Sequence, residues 1–323
     1  MQYTQLGSTG LEVSRLCLGC MNFGSDAAWM LDDRGESIDL IHRALDGGIN
    51  FLDTANVYSH GESEEIVGEA IASRNREELV VATKVFGEMH DGPNGSGLSR
   101  KHIIDQAYAS LDRLGVEYID LYQIHRFDED TPVEETLSAL THLVDEGVVR
   151  YLGASTMSSY QFTKLLYTAD LEGDERFVSM QPEYNAVDRH EEANLLPVCE
   201  GEGIGVIPWS PLARGYLTRP HEEYDATTRG ETDDHAREHP YFEGGGREVN
   251  ERVAELADEY GATMAQIGLA WLLDKEWVDA PIVGTTSIEH LEQAVAALDI
   301  SLSDSDTEYL EEPHEPVPVS GHE

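Results

Sequence analysis

The sequence predicts an α/β fold: a (β/α)8 TIM barrel with an N-terminal hairpin and a long loop after strand seven. Three observations predict it. Short apolar runs alternate with amphipathic stretches eight times between residue 16 and about residue 300. Several of the helical stretches stop at glycine, as at Gly47–Gly48, Gly115 and Gly147. No G-x-G-x-x-G follows the first strand, which disfavours the runner-up, a doubly wound open sheet.

The elements follow in order. Tyr3–Leu6, Gly7–Gly10 and Val13–Ser14 read as a hairpin ahead of the barrel. Strand one is Leu16–Met21, with a helix near Ser37–Asp46. Strand two is Asn50–Thr54, with a helix from about Glu62 to Ser73. Strand three is Leu79–Val85, with a helix near Arg100–Leu114. Strand four is Ile119–His125, and its helix runs from about Pro132 to Gly147. Strand five is Val149–Ser155, with a helix near Ser159–Ala169. Strand six is Phe177–Tyr184, with a helix from about Glu191 to Glu202. Strand seven is Gly205–Ser210. Two helices near Glu248–Tyr260 and Thr263–Leu273 precede strand eight, Ala280–Thr285, and its helix Ser287–Leu298. A last helix starts near Asp304. The Gly201, Gly203, Gly205 cluster precedes a strand and reads as a helix-to-strand turn.

Residues 1–323 read as one barrel domain without an internal repeat or a dividing linker. Residues 212–247 form a lid-like loop too long for an ordinary connection, with Gly244–Gly246 as its expected hinge, and residues 312–323 are a polar tail.

The charge balance is extreme. With 21 Lys+Arg against 63 Asp+Glu, the net charge is −42, and four of the bases are lysines. The acids run along the whole chain, the surface expected of a protein from a salt-adapted, halophilic source. There the Debye length falls to about 3 Å at 1 M and like-charge repulsion is screened. Nucleic acid is excluded as a partner by charge. There is no signal-like N-terminus and no apolar run approaches 18 residues, so the expectation is a soluble, cytoplasmic protein without a membrane partner. Cys17, Cys20 and Cys199 give no disulfide framework. Residues three apart in a strand face opposite sides, so Cys17 and Cys20 are structural; no cluster has convincing zinc spacing and no metal is expected.

Asp53, Tyr58, Lys84 and His125 lie at or just past the C-terminal ends of strands two, three and four. In parallel α/β architectures that rim is where chemistry is done. A free tyrosine has a pKa near 10, too high for a neutral-pH acid/base. A lysine ammonium about 4 Å away, worth roughly 4 kcal/mol at an effective dielectric near 20, is expected to bring Tyr58 down to as low as about 7. Asp53 holds Lys84 charged, and His125 donates to a substrate carbonyl. A lysine at the end of a buried strand also admits a Schiff-base lyase or isomerase as an alternative.

These residues carry a resemblance. Asp53–Thr54–Ala55–x–x–Tyr58, Ala82–Thr83–Lys84, Gln123–Ile124–His125, His125–Arg126–Phe127–Asp128 and Trp209–Ser210–Pro211–Leu212–Ala213–Arg214–Gly215 resemble the aldo-keto reductases, in particular the aryl-alcohol-dehydrogenase-like branch, over nearly the whole chain. The resemblance implies hydride transfer between a nicotinamide cofactor and an aldehyde, ketone or alcohol. It makes Tyr58 the acid/base, Asp53 and Lys84 its tuners and His125 the orienter of substrate. It places the nicotinamide carboxamide against Ser155, Thr156 and Gln181, and Trp209 on the ring. It lays the pyrophosphate along Ser210, Leu212 and Arg214, and assigns Gly19, Met21, Asp53, Gly284, Thr286, Ser287 and Gln293 to the same cofactor. Many relatives carry bases at the positions of Thr286 and His290 and Glu–Asn at Gln293–Ala294. NADP(H) still ranks ahead of NAD(H). A non-catalytic nucleotide-sensing subunit is the second alternative.

Overall fold

The computed structural model describes residues 1–226, 228–233 and 240–316. Strands β1 (Tyr3–Gln5) and β2 (Glu12–Ser14) form the antiparallel hairpin. The parallel strands are β3 (Cys17–Gly19), β4 (Phe51–Asp53), β5 (Val80–Val85), β6 (Ile119–Ile124), β7 (Val149–Ser155), β8 (Phe177–Gln181), β9 (Gly205–Val206) and β10 (Ile282–Gly284). They pair in sequence from β3 to β9, with β10 alongside β3. The ring closes between the last two strands. Asp279 donates its N–H to the Val206 carbonyl at 2.9 Å, and Ile282 donates to that of Pro208 at 2.8 Å. The doubly wound alternative therefore falls.

Two layers of side chains make the core. Phe51, Val80, Ala82, Leu121, Ile207 and Ile282 fill the barrel, while Leu52, Val81, Tyr122 and Ile124 face the helices. Alternation along each strand produces this division. Fully burying each large apolar side chain contributes about 1.5–3 kcal/mol, so the rim rests on a rigid platform. Cys17 lies in the inner layer and Cys20 in the outer one, as their spacing demands.

Several elements differ from the sequence reading, each for a local reason. Strands six and seven end early because Pro182 and Pro208 have no N–H for the ladder. The expected helix over 191–202 splits into a 3-10 turn, His190–Ala193, and a helix, Leu196–Glu202, because Pro197 is tolerated only in a first turn. The first helix begins earlier, at Arg34, since Asp33 accepts the Glu36 N–H at 2.9 Å and caps it. Asn50 drops out of β4, where its side chain accepts the Ser14 N–H at 2.7 Å and ties the hairpin to the barrel.

The 212–247 segment is not a bare loop where it is described. It forms short helical turns over Ala213–Thr218 and His221–Ala226, and Tyr216, Leu217, Tyr224 and Tyr241 are buried. The Tyr216 ring meets Tyr224 edge-on at 5.3 Å and Phe242 at 5.0 Å. The expected glycine hinge is a packing point instead. A Cβ on Gly245 would lie 1.7 Å from the Pro313 carbonyl oxygen, and one on Gly246 would lie 1.8 Å from that of Tyr241. Residues 227 and 234–239 of this segment, and 317–323 of the polar tail, lie outside the described residues.

Candidate active site

Strand parity builds the site. Phe51 points into the barrel, so Asp53 does too; Val80 and Ala82 place Lys84 inside, and Leu121 does the same for Gln123. Register completes the arrangement, with Lys84 opposite Gln123 and Gln123 opposite Gly153. Gly153 is required here. A Cβ at that position would lie 2.7 Å from Ser179 Oγ and 2.8 Å from Gln123 Cγ. Polar groups thus replace the apolar layer only at the C-terminal rim.

Asp53 is the centre of the resulting network. Its Oδ2 accepts from Lys84 Nζ at 2.5 Å, and its Oδ1 accepts from Gln123 Nε2 at 2.8 Å and Gln181 Nε2 at 3.0 Å. Lys84, wholly buried, also donates to the Thr54 carbonyl at 2.9 Å and to the Tyr58 hydroxyl at 3.2 Å. All three ammonium protons have acceptors, which is what makes a buried lysine tolerable. Burial pulls the Lys84 pKa down, but Asp53 and then Tyr58 outweigh it and leave it above its ordinary value. A charged, shielded ammonium is no nucleophile, which removes the basis of the Schiff-base alternative.

Tyr58 is presented by a tight turn after β4 in which Ser59 and His60 adopt left-handed φ of 46° and 50°. Its ring meets that of His125 edge-on at 5.7 Å. The sequence expectation for its acidity is corrected. Burial pushes the phenol above its ordinary pKa, Lys84 offsets only part of that, and Asp53 adds to the rise. Water removal costs the phenolate more than one ammonium, itself neutralised by Asp53, returns. The stable form is a neutral phenol beside a charged lysine. His125 is held well below its ordinary pKa by burial first, then by Lys84 and Arg126, and is a neutral imidazole.

A cavity of about 990 Å³ opens above these groups. Of the residues singled out from the sequence, Gly19, Met21, Asp53, Tyr58, His125, Ser155, Gln181, Trp209, Ser210, Leu212, Arg214, Gly284, Thr286 and Gln293 all line it. Lys84 lies beneath the wall. Thr156 and Ser287 stand behind it: the Thr156 hydroxyl accepts the Trp209 indole N–H at 3.0 Å, and the Ser287 N–H is taken by Thr285 Oγ1 at 3.1 Å. Thr156, Ser210 and Arg214 have left-handed φ of 42°, 50° and 53°. Such strain collects where the backbone is shaped for a ligand. Asn22, Trp29, Arg126 and Arg219 also line the cavity. The sequence reading has Arg126 in a motif, and Trp29 and Arg219 in the Gly24–Asp33 and Leu212–Arg247 loops expected to set specificity, but it assigns none of the four to the site. Arg126, directly after His125, had a signal in its position; the others sit on loops without a pattern.

The family model described as the aldo/keto reductase family matches residues 15–315, a span holding all eight barrel strands. The chain is similar to a Schizosaccharomyces pombe protein named as an aryl-alcohol dehydrogenase, 43% identical over 99% of this chain and 97% of that relative. It is similar to the versiconal hemiacetal acetate reductase of Aspergillus parasiticus, 40% identical over 99% of this chain and 98% of the relative. An aldo-keto reductase of Alternaria alternata is 39% identical over 99% of this chain and 93% of its own length. The chain belongs to the aldo/keto reductase family and is an NAD(P)H-dependent oxidoreductase.

Proposed function

We propose that Tyr58 is the general acid of a carbonyl reductase, and the general base when the reaction runs as an alcohol dehydrogenase. The observation that carries this is the 3.2 Å hydrogen bond from the buried Lys84 ammonium to the Tyr58 hydroxyl. A bound nicotinamide supplies or accepts the hydride. Neutral His125 donates to the carbonyl oxygen and holds it near the phenol. As charge builds on that oxygen, Tyr58 releases its proton, and Lys84 steadies the phenolate left behind. The ammonium therefore does its work in the transition state, where it lowers the barrier, rather than by ionising the resting phenol.

The cavity suits a nicotinamide dinucleotide. It runs from Tyr58 and His125 past the Trp209 ring to Gly284, Thr286 and Gln293. Arg214 Nε is buried without a partner among the described residues, a donor fitted to a phosphate oxygen. Ser155, Gln181 and Trp209 are the residues for the nicotinamide end, with Thr156 fixing the indole. Ser210, Leu212 and Arg214 would follow the pyrophosphate, with Gly19 and Met21 beside it and Ser287 behind Thr286 at the far end. NADP(H) ranks ahead of NAD(H) by family. Thr286, His290 and Gln293 offer hydrogen bonds where a fixed base would hold a 2′-phosphate more strongly.

The test is Tyr58→Phe, assayed with a panel of aldehydes and both cofactors in molar KCl. Turnover should fall by about 10²–10⁴-fold with cofactor Kd nearly unchanged. Retention of more than about a tenth of wild-type kcat removes Tyr58 from the proposed role, and a large NADH preference reverses the cofactor ranking.

A further inference from the structure

The cavity runs against the charge of the molecule. The chain carries 63 acidic residues and a net charge of −42, yet Asp53 is the one acidic residue among the described cavity lining, and it is bound to Lys84. Three arginines, Arg126, Arg214 and Arg219, line the same space.

Arg214 is engaged already. Its guanidinium lies 5.4 Å over the Trp209 ring and 4.0 Å from Asp233, and it stands beside the phosphate-fitted segment. Arg126 is placed differently. It directly follows His125 at the end of β6, and among the described residues it makes one hydrogen bond, from Nη1 to the His125 carbonyl at 2.6 Å. It makes no ion pair among the described residues. A guanidinium has five donors in a planar fork, so most of this one remains for a ligand. Its charge bears on both Tyr58 and His125, lowering the pKa of each, which places it near the reacting groups.

Burial lowers the Arg126 pKa; the Glu183 carboxylate is near enough to raise it, but by less, and forms no ion pair with it. In a chain this acidic, a buried arginine that lines a catalytic site without an ion pair among the described residues is a group held for something else. We infer that Arg126 is a specificity-determining residue that pairs with a carboxylate on the substrate, so that the preferred substrates are aldehydes or ketones bearing an anionic group. The inference rests on the carbonyl-reductase reading above and names its substrate class. His125 and Tyr58 take the carbonyl oxygen, and the fork of Arg126 takes the far carboxylate, fixing the molecule at two points. Trp29, Met30, Leu31 and Trp209 supply apolar walls for the body between them. The pairing is charge-assisted and sheltered, so it survives salt that screens the molecular surface to about 3 Å at 1 M.

The experiment measures kcat/KM in molar KCl with saturating NADPH for three aldehydes of one shape: 4-formylbenzoate, 4-formylbenzamide and (4-formylphenyl)trimethylammonium. Wild type should favour the carboxylate over the amide by tenfold or more. Arg126→Gln should cut that ratio by about 10- to 100-fold, the usual cost of losing a hydrogen bond to a charged group. Arg126→Lys should keep part of the preference, and Arg126→Glu should shift it toward the cation. If Arg126 acts only through the acidity of His125 and Tyr58, all three aldehydes slow by the same factor and the ratio holds; that result overturns the inference. A wild type that reduces amide and carboxylate equally well overturns it too, while leaving the carbonyl-reductase reading standing. A wild type that reduces none of a broad carbonyl panel with either cofactor removes that reading, and this inference with it.

Discussion

Gln181 and Asp53, 128 residues apart, meet across the barrel mouth, the amide Nε2 donating to the carboxylate Oδ1 at 3.0 Å. The same Gln181 amide donates to Gln123 at 3.1 Å. One carboxylate is thereby gripped from β5, β6 and β8 at once, and Lys84 is aimed by its attachment to a fixed anion.

That grip makes the buried pair costly to break. Lys84→Met is expected to destabilise the fold by about 3–5 kcal/mol, because it leaves Asp53 as an unpaired buried charge. The double variant Lys84→Met/Asp53→Asn should recover much of the loss. Urea unfolding of the four proteins measures the coupling, and additive losses would show that the two side chains are energetically independent.

The pH profile follows from the two shifts at the site. His125 is depressed below its ordinary value, so it stays neutral where a free histidine titrates. Tyr58 is raised, so it keeps its proton past its ordinary value. On the proposed mechanism, kcat/KM for carbonyl reduction is flat from pH 6 to 9 and falls only in strongly alkaline solution, while alcohol oxidation rises with pH. A break near pH 6.5 that disappears in His125→Asn would contradict the assignment.

His190 carries a stability prediction. Burial opposes its charge, but Asp188 and Glu191 hold it and raise its pKa to about 10. A raised base stabilises fully below its unfolded value, near 6.5, and loses that contribution as pH rises through the folded value. Stability should therefore decline between pH 6.5 and about 10. In His190→Gln, which cannot take up the proton, the decline should be shallower; parallel curves for the two proteins, followed by thermal unfolding, would refute it.

The charge of −42 predicts a response to salt. Self-repulsion weakens the compact state in dilute buffer and is screened in concentrated salt. Tm should rise between 0.1 M and 2 M KCl, by calorimetry at fixed pH. An unchanged Tm would withdraw the proposal of a salt-adapted source.

The sequence was sufficient for the barrel, because alternating apolar runs and glycine stops are local signals that the chain states directly. It was sufficient for the placing of Asp53, Tyr58, Lys84 and His125 at one rim, because each lies at or just past the C-terminal end of an apolar run, a position counted along the chain. What it left undecided is set by groups distant in sequence. The acidity of Tyr58 went the other way from the sequence reading, since burial depends on everything packed around the ring. Pro182 and Pro208 shortened strands whose apolar runs continue past them. The glycine run at 244–246 became a packing point only because Pro313 and Tyr241 arrive there. That Asp53 is the single acidic residue among the described lining of a cavity in an acidic molecule is likewise a fact of tertiary structure: composition is a sum over the chain, whereas the field in a cleft depends on which side chains the fold turns inward.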